Sequence, residues 1–225
     1  MADKYEKFVA AYLRLNAYFT VPNFIVLAGD DSARISSGQV GNYTETDILA
    51  VRMPYSEEVT GTLHIGNHCV LTDGSQGKMD VVIAEAKSGN ENRPNKAWRA
   101  GAPDPSISYV VRFVGLHAEG ELRSVAQALA TAFRFEDDRC RYRYVVFSKE
   151  PNEHYASRGV KYITFREAID FIVGVRGQCW VEKNIGVASL HHQWDDMLIE
   201  IFRIANNHER TVEQRADDVE TFLAT

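Results

Sequence analysis

The sequence predicts an α/β fold in which a mixed central β-sheet is flanked by helices. Residues 79–87 form an apolar run that is typical of a central strand. Apolar residues within 4–16 recur at helical spacing, which indicates an amphipathic helix ahead of the strands. The order of the later patterns, with three strands, helices and a further strand, favours one sheet with helices on its faces. A length of 225 residues favours a single domain.

The N-terminal part of the chain is predicted to contain one helix and two strands. Asp3 can cap the helix over residues 4–16. A β-rich apolar run near 23–28 is followed by a segment rich in glycine, serine and aspartate over 29–44, which predicts a strand and then a loop. Residues 45–52 form a second strand that begins with acidic residues.

The remaining predicted elements alternate between strands and helices. Residues 59–71 contain strand-like pieces that predict an extra hairpin, and 88–105 has the composition of a loop. The other predicted strands cover residues 79–87, 141–147 and 162–164, and the predicted helices cover 105–115, 120–133, 165–176, 191–205 and 212–223. We therefore divide the chain into a core over residues 1–176 and a helical C-terminal extension over 177–225 that packs on the core.

Composition and charge exclude several classes of protein. The 25 basic and 31 acidic residues give a formal net charge of −6, which argues against coating nucleic acid by bulk charge but leaves room for a local basic groove. The 3 cysteines form no CxxC pair, so neither a disulfide framework nor a zinc ribbon is expected. The sequence shows no secretory leader and no apolar run of roughly 18 residues. We expect a cytoplasmic protein with reduced cysteines and no membrane contact.

Charged groups interrupt two predicted strands at positions that an apolar core would not select. Asp47 lies within the strand over 45–52, while Glu85 and Lys87 end the strand over 79–87. Because side chains alternate along a strand, Glu85 and Lys87 share one face, and pairing of the two strands can place Asp47 beside Glu85. Two adjacent carboxylates repel each other, and a divalent cation relieves this repulsion.

A site of this composition suits the hydrolysis of phosphodiester bonds. Mg²⁺ prefers hard oxygen ligands and is commonly held by one or two carboxylates together with a substrate phosphate. Mn²⁺ takes the same ligands. Such an ion polarises a phosphoryl oxygen and activates a water, while a lysine beside it orients or helps to deprotonate that water. The residues therefore predict a Mg²⁺ or Mn²⁺ cofactor.

The pattern of Asp47 on one strand and Glu85-Ala86-Lys87 on another, after a helix that carries Glu6, resembles the PD-(D/E)XK nuclease superfamily and its restriction-endonuclease-like fold. The resemblance implies that Asp47 and Glu85 are metal ligands, with the carbonyl of Ala86 as a third ligand. It also implies that Asp47 and Glu85 are catalytic, that Lys87 is the catalytic lysine, and that Glu6 is an auxiliary catalytic acid.

Motifs support this resemblance over about residues 4–90, and the order of elements extends it to residue 176. The chain departs from the family pattern in two ways. Thr46 precedes Asp47 where the family pattern has proline, and the long interval between Asp47 and Glu85 requires an inserted hairpin. Neither departure removes a ligand.

The resemblance implies a Mg²⁺-dependent nuclease, a hydrolase that cleaves phosphodiester bonds in DNA, in mobile-element defence or DNA repair. Many nucleases of this fold act as dimers, so the resemblance is compatible with a homodimer. The alternative is a catalytically inactive nuclease-fold subunit that binds protein or nucleic acid in a larger complex, with residues 177–225 as its docking surface. Metal binding distinguishes these two hypotheses.

Two further interpretations of charged residues stay open. Glu85 and Lys87 can instead form a solvated strand end, where an exposed ion pair stabilises little, and Glu6 can be a surface acid. Six basic residues can line a phosphate-binding groove or form a solvated surface: Arg93, Lys96, Arg99, Arg139, Arg141 and Arg143.

Overall fold

The computed structural model of the chain describes residues 4–26, 44–56, 58–60, 63–74, 77–89, 92–99, 101, 105–177 and 196–225. Within these ranges the chain has the predicted α/β fold, with helices flanking a mixed six-stranded sheet. No helix in these ranges is long and apolar enough to cross a membrane.

The central sheet combines antiparallel and parallel pairs. Its strands are β1 (Phe19–Val26), β2 (Thr44–Arg52), β5 (Met79–Lys87), β6 (Arg134–Glu136), β7 (Cys140–Ser148) and β8 (Lys161–Thr164). The order is β1-β2-β5-β7-β6, and β8 also pairs with β7. β7 runs parallel to β5 and β8, and the other pairs are antiparallel. The short strands β3 (Glu58–Thr60) and β4 (Leu63–Ile65) form a separate antiparallel pair, which confirms the predicted hairpin.

Helices cover both faces of this sheet and enclose two apolar cores. They are α1 (Lys4–Arg14), α2 (Cys69–Thr72), α3 (Lys96–Arg99), α4 (Pro105–Val114), α5 (Leu122–Ala132), α6 (Glu153–Ala156), α7 (Phe165–Asp170), α8 (Asp196–Ala205) and α9 (Val212–Ala224), and α7 continues as a π-helix over Phe171–Arg176. Because side chains alternate along a strand, Val82 and Ala84 of β5 enter the first core with α1, α7, α8 and α9. Val81 and Ile83 enter the second core with α4 and α5. The C-terminal helices thus share a core with α1, and the division of the chain at residue 176 stays a prediction.

Two strands differ from the prediction because their residues face solvent. β1 begins at Phe19, earlier than predicted, and as an edge strand it leaves Phe19 and Val21 exposed at 68% and 44%. β6 was not predicted, since its three residues carry too short a pattern and Arg134 and Glu136 are exposed. The predicted loop over 29–44 lies outside the described residues except for Thr44, which belongs to β2.

Several short helices were also missed. Cys69–Thr72 forms a helical turn where the composition indicated a strand, because backbone amides bond locally to the His68 carbonyl and Leu71 enters the first core. α3 lies inside the predicted loop over 88–105, and α6 lies where no element was predicted. The predicted helix over 165–176 forms, although its second half is π-helical. Of the predicted helix over 191–205, residues 191–195 lie outside the described ranges.

A buried ion network joins β5 to β7 at the N-terminal end of β5. Asp80 is 0% exposed, and its Oδ2 accepts hydrogen bonds from Arg141 at 2.8 Å and Arg143 at 2.7 Å. The Tyr18 hydroxyl donates to the same oxygen at 2.5 Å. Burial raises the pKa of Asp80, but the hydrogen bond from Arg141 and the charges of both arginines outweigh it and hold the pKa below its ordinary value. The interpretation of Arg141 and Arg143 as part of a solvated surface is therefore wrong, because both are largely buried and bonded to Asp80. Their part in a phosphate-binding groove stays a prediction.

Removing the Tyr18 hydroxyl tests how much this network contributes to the free energy of unfolding. We expect Tyr18→Phe to lower the free energy of unfolding by about 2 kcal/mol, because a hydrogen bond to a buried charged group is lost without a change of shape. Urea unfolding measures the difference. Tyr55→Phe is the matched control, since that ring is 80% exposed. Equal stability of the Tyr18 variant and the parent would contradict the assigned bond.

Candidate functional site

The structure brings Asp47, Glu85 and Lys87 together where β2 and β5 end their pairing. The two strands pair as far as Ile48 and Ala84. The next residues along each strand, Asp47 and Glu85, therefore lie across from each other on the sheet face of the second core. Lys87 lies two residues beyond Glu85, so its side chain leaves the same face.

The Asp47 carboxylate accepts a backbone hydrogen bond from β5 that the carbonyl of a neighbouring strand would otherwise accept. The amide of Ala86 donates to Asp47 Oδ2 at 2.7 Å. Within a strand the N–H and C=O of one residue point to the same side, so the Ala86 carbonyl is directed to the Asp47 side as well. Two predicted oxygen ligands, the Asp47 carboxylate and the Ala86 carbonyl, thus border one space at the strand end.

Glu85 is fully buried, and three neighbours hold its carboxylate. Lys87 Nζ lies 2.9 Å from Glu85 Oε2, the Asn95 amide donates to the same oxygen at 3.1 Å, and the Tyr144 hydroxyl donates a further bond. Burial raises the pKa of Glu85 to about 7, while Lys87 and Tyr144 oppose the rise and the charge of Asp47 adds to it. The pKa therefore places Glu85 between its two protonation states near neutral pH.

The Lys87 amine contacts two neighbours, and part of the side chain stays open to solvent. Its Nζ donates to Asn95 Oδ1 at 2.8 Å in addition to the ion pair with Glu85. The side chain keeps 20% of its surface exposed, whereas Glu85 keeps none. The interpretation of Glu85 and Lys87 as a solvated strand end is therefore wrong, and the amine lies between the buried acid and the solvent.

Sequence reasoning missed Asn95 and Tyr144. The Asn95 amide also donates to the Tyr144 oxygen at 3.2 Å, and Trp98 of α3 packs on the Tyr144 ring with centroids 4.6 Å apart. Asn95 stood in a predicted loop, and Tyr144 stood in a predicted strand in which only the arginines were considered. No local sequence pattern indicates Tyr144: it lies close to Glu85 because it pairs with Ile83 in the sheet and shares that face.

Glu6 stands on a different element from the other predicted site residues. It belongs to the first turn of α1, and α1 packs in the first core. Asp47 and Glu85 lie on the sheet face of the second core. The helix that carries the predicted auxiliary acid therefore covers the opposite face of the sheet, and its catalytic role stays a prediction.

Three of the six basic residues flank the site. Arg93, Lys96 and Arg99 are exposed on the segment around Asn95. Arg139 lies at the turn before β7, where it pairs with Asp137 and Glu121. A groove that combines all six residues is therefore not formed, and the positive charge near the site comes from the segment that follows β5.

The donor set at the strand end fits a hard divalent cation. Asp47, Glu85 and the Ala86 carbonyl offer oxygen atoms alone, which suit Mg²⁺ or Mn²⁺. Burial and the charge of Asp47 both raise the pKa of Glu85 and so disfavour its ionised form. A cation beside Glu85 would supply the missing positive charge.

Comparison with known proteins adds no relative. The chain matches no protein-family model, no curated protein and no solved structure. The resemblance to the PD-(D/E)XK superfamily stays a prediction from the residues, so the functional argument depends on the geometry of the site.

Proposed function

We propose that this protein is a metal-dependent nuclease that hydrolyses phosphodiester bonds in DNA. The observation that carries the proposal is the fully buried Glu85, held beside Asp47 and Lys87 on one sheet face at a strand end. Two carboxylates and the directed Ala86 carbonyl at one strand end offer the oxygen ligands that a hard cation takes.

Each residue of the site has a distinct part in this mechanism. Asp47, Glu85 and the Ala86 carbonyl would hold the cation, which when bound supplies positive charge to the scissile phosphate and lowers the pKa of a water. Lys87 donates N–H bonds toward the attacking water or a phosphate oxygen and stabilises the negative charge that develops as the leaving oxygen departs. Asn95 orients the lysine amine through its side-chain oxygen.

Substrate binding is proposed to be local to the site. Arg93, Lys96 and Arg99 are exposed beside Asn95 and can contact backbone phosphates. The chain as a whole is acidic, with a net charge of −6, so these few contacts give a grip that weakens steeply with salt. DNA is favoured over RNA by the superfamily resemblance, since phosphate contacts alone do not separate the two.

A cleavage assay on the full chain tests the function. We expect DNA to be cut with Mg²⁺ or Mn²⁺ and left intact with EDTA, because two acids without a cation repel the phosphate. Asp47→Asn should lower cleavage at least 100-fold, since one anionic metal ligand becomes neutral. Asp73→Asn is the control, because Asp73 is exposed near the other end of β5.

Three outcomes would count against the proposal. Cleavage that persists in EDTA would exclude a metal-dependent site. Cleavage of RNA alone would overturn the choice of DNA. Absence of cleavage together with absence of Mg²⁺ and Mn²⁺ binding by calorimetry would favour the inactive nuclease-fold subunit.

The side chain of Asn95 offers a smaller test of the same site. We expect Asn95→Ala to lower cleavage by about 10- to 100-fold, as is usual for groups that orient residues of a metal site. The reason is that Lys87 loses the acceptor that fixes its amine, while the backbone amide that binds Glu85 is retained. Asn92→Ala serves as control, because Asn92 lies in the same segment as Asn95 but its side chain bonds to Glu150 and Asn152. Equal rates for both variants would remove Asn95 from the site.

A further inference from the structure

A second cluster of potential metal ligands lies at the opposite end of β7. Among the described residues, one ligand atom from each of His117, Asp137 and Cys140 falls within 4.8 Å of the others. His117 belongs to the connection between α4 and α5, Asp137 to the turn between β6 and β7, and Cys140 begins β7. Cys140 pairs with Met79 at the start of β5, whereas Glu85 lies near its end, so this cluster is separate from the nuclease site.

The ligand atoms converge in a largely buried place. Cys140 is 0% exposed, the His117 side chain is 1% exposed, and the Asp137 side chain keeps 27% of its surface open to solvent. His117 Nε2 lies 3.3 Å from Cys140 Sγ. This separation is close to that of two ligands on one tetrahedral Zn²⁺ with bonds of about 2.0 and 2.3 Å.

The chemistry of the donors selects the kind of ion. One sulfur, one imidazole nitrogen and one carboxylate oxygen are the three ligand types that Zn²⁺ accepts. Mg²⁺ takes oxygen ligands and has little affinity for a thiolate, so this cluster does not duplicate the site at Glu85. Asp137 is held in place by the amides of Arg139 and Cys140, which both donate to its Oδ1 at 2.8 Å.

Neighbouring charges suit a divalent ion as well. His117 Nδ1 lies 3.2 Å from Arg139 Nη2 and 3.6 Å from Glu121 Oε2. A metal on Nε2 requires the ring proton on Nδ1, which Glu121 can accept once Arg139 bonds to its acidic partners alone. Arg139 pairs with both Asp137 and Glu121. With Cys140 as thiolate, three negative groups face one arginine, and a dication brings the local charge to zero.

We propose that His117, Asp137 and Cys140 bind Zn²⁺ through Nε2, a carboxylate oxygen and Sγ, with water as the fourth ligand. On binding, the Cys140 thiol gives its proton to solvent and the sulfur forms the metal bond as a thiolate. The ion joins the α4–α5 connection to the β6–β7 turn. It stabilises the helices that cover the second core, and it takes no part in phosphodiester hydrolysis.

Co²⁺ is the probe, because its bond to a thiolate produces a charge-transfer band in the near ultraviolet. The chain contains 3 cysteines, so the double variant Cys69→Ser/Cys179→Ser leaves Cys140 as the only thiol. We expect this metal-stripped double variant to develop the band with one Co²⁺ per chain and to lose it when one equivalent of Zn²⁺ is added. Zn²⁺ should also raise its thermal unfolding temperature.

Single substitutions decide whether the assigned ligands are correct. Adding Cys140→Ser to the double variant should abolish the band, and Asp137→Asn should weaken Co²⁺ binding at least tenfold. Asp138→Asn, at the exposed neighbouring position, should leave binding unchanged. Folding of each variant is checked by circular dichroism. A folded double variant without a charge-transfer band, or equal binding by both aspartate variants, would overturn the site.

Discussion

Replacing Lys87 with alanine is expected to lower DNA cleavage by about 1,000-fold or more, equivalent to about 4 kcal/mol of transition-state stabilisation. Among the described residues, the amine is the only cation in contact with the Glu85 carboxylate, and its side chain keeps 20% of its surface exposed. In the proposed mechanism, its loss removes the donor that stabilises charge on the phosphate. Single-turnover cleavage of a labelled duplex with saturating Mg²⁺ measures this chemical step apart from product release.

The variant should fold, and this makes the result interpretable. Without Lys87 the pKa of Glu85 rises further, because the largest influence that opposes burial is removed, and the buried acid then becomes neutral. The control is Lys78→Ala, since Lys78 forms an ion pair as well, with Glu136 at the surface and at a distance of 2.7 Å. Cleavage by the Lys87 variant at the parental rate would show that the lysine is not catalytic.

The position of the site could be predicted because one strand carries most of it. The apolar run of β5 reveals a central strand, and its alternation places Glu85 and Lys87 on one face without knowledge of the fold. Asp47 required the further assumption that β2 pairs with β5, which the structure confirms. Both steps use the period of a strand, a property that is local to the sequence.

Contacts between distant segments could not be predicted in the same way. Asp80 and Arg143 are 63 positions apart in the sequence. The alternating arginines of β7 indicated a surface, whereas the acid that binds two of them, Asp80, lies on β5. Asn95 reaches Glu85 only because the segment after β5 folds back toward Tyr144. The cluster of His117, Asp137 and Cys140 likewise forms where a helix connection meets a hairpin turn.

The second large effect is expected in the pH dependence of the parent protein. Burial raises the pKa of Glu85 in the folded chain to about 7, from an ordinary value of 4.5. Because the folded chain binds this proton more tightly than the unfolded chain does, protonation of Glu85 stabilises the fold at low pH. This contribution is lost as the pH rises from about 4.5 to about 7. The full difference corresponds to about 3 kcal/mol. In the absence of divalent metal, the parent should therefore lose stability relative to Glu85→Gln over this interval and show no further relative loss above it.

Comparison with the glutamine variant isolates one group, because the other titrating groups are common to both proteins and their contributions cancel. Urea unfolding at several pH values, with EDTA present, provides the measurement. The same ionisation should govern metal binding, since a cation binds the carboxylate and not the acid. Mg²⁺ affinity of the parent should rise about tenfold per pH unit below pH 7 and level off above it. A stability difference that stays constant from about pH 4.5 to about pH 7 would show that the pKa of Glu85 is not raised in the folded chain, and Lys87 would then compensate the buried carboxylate without need of a cation.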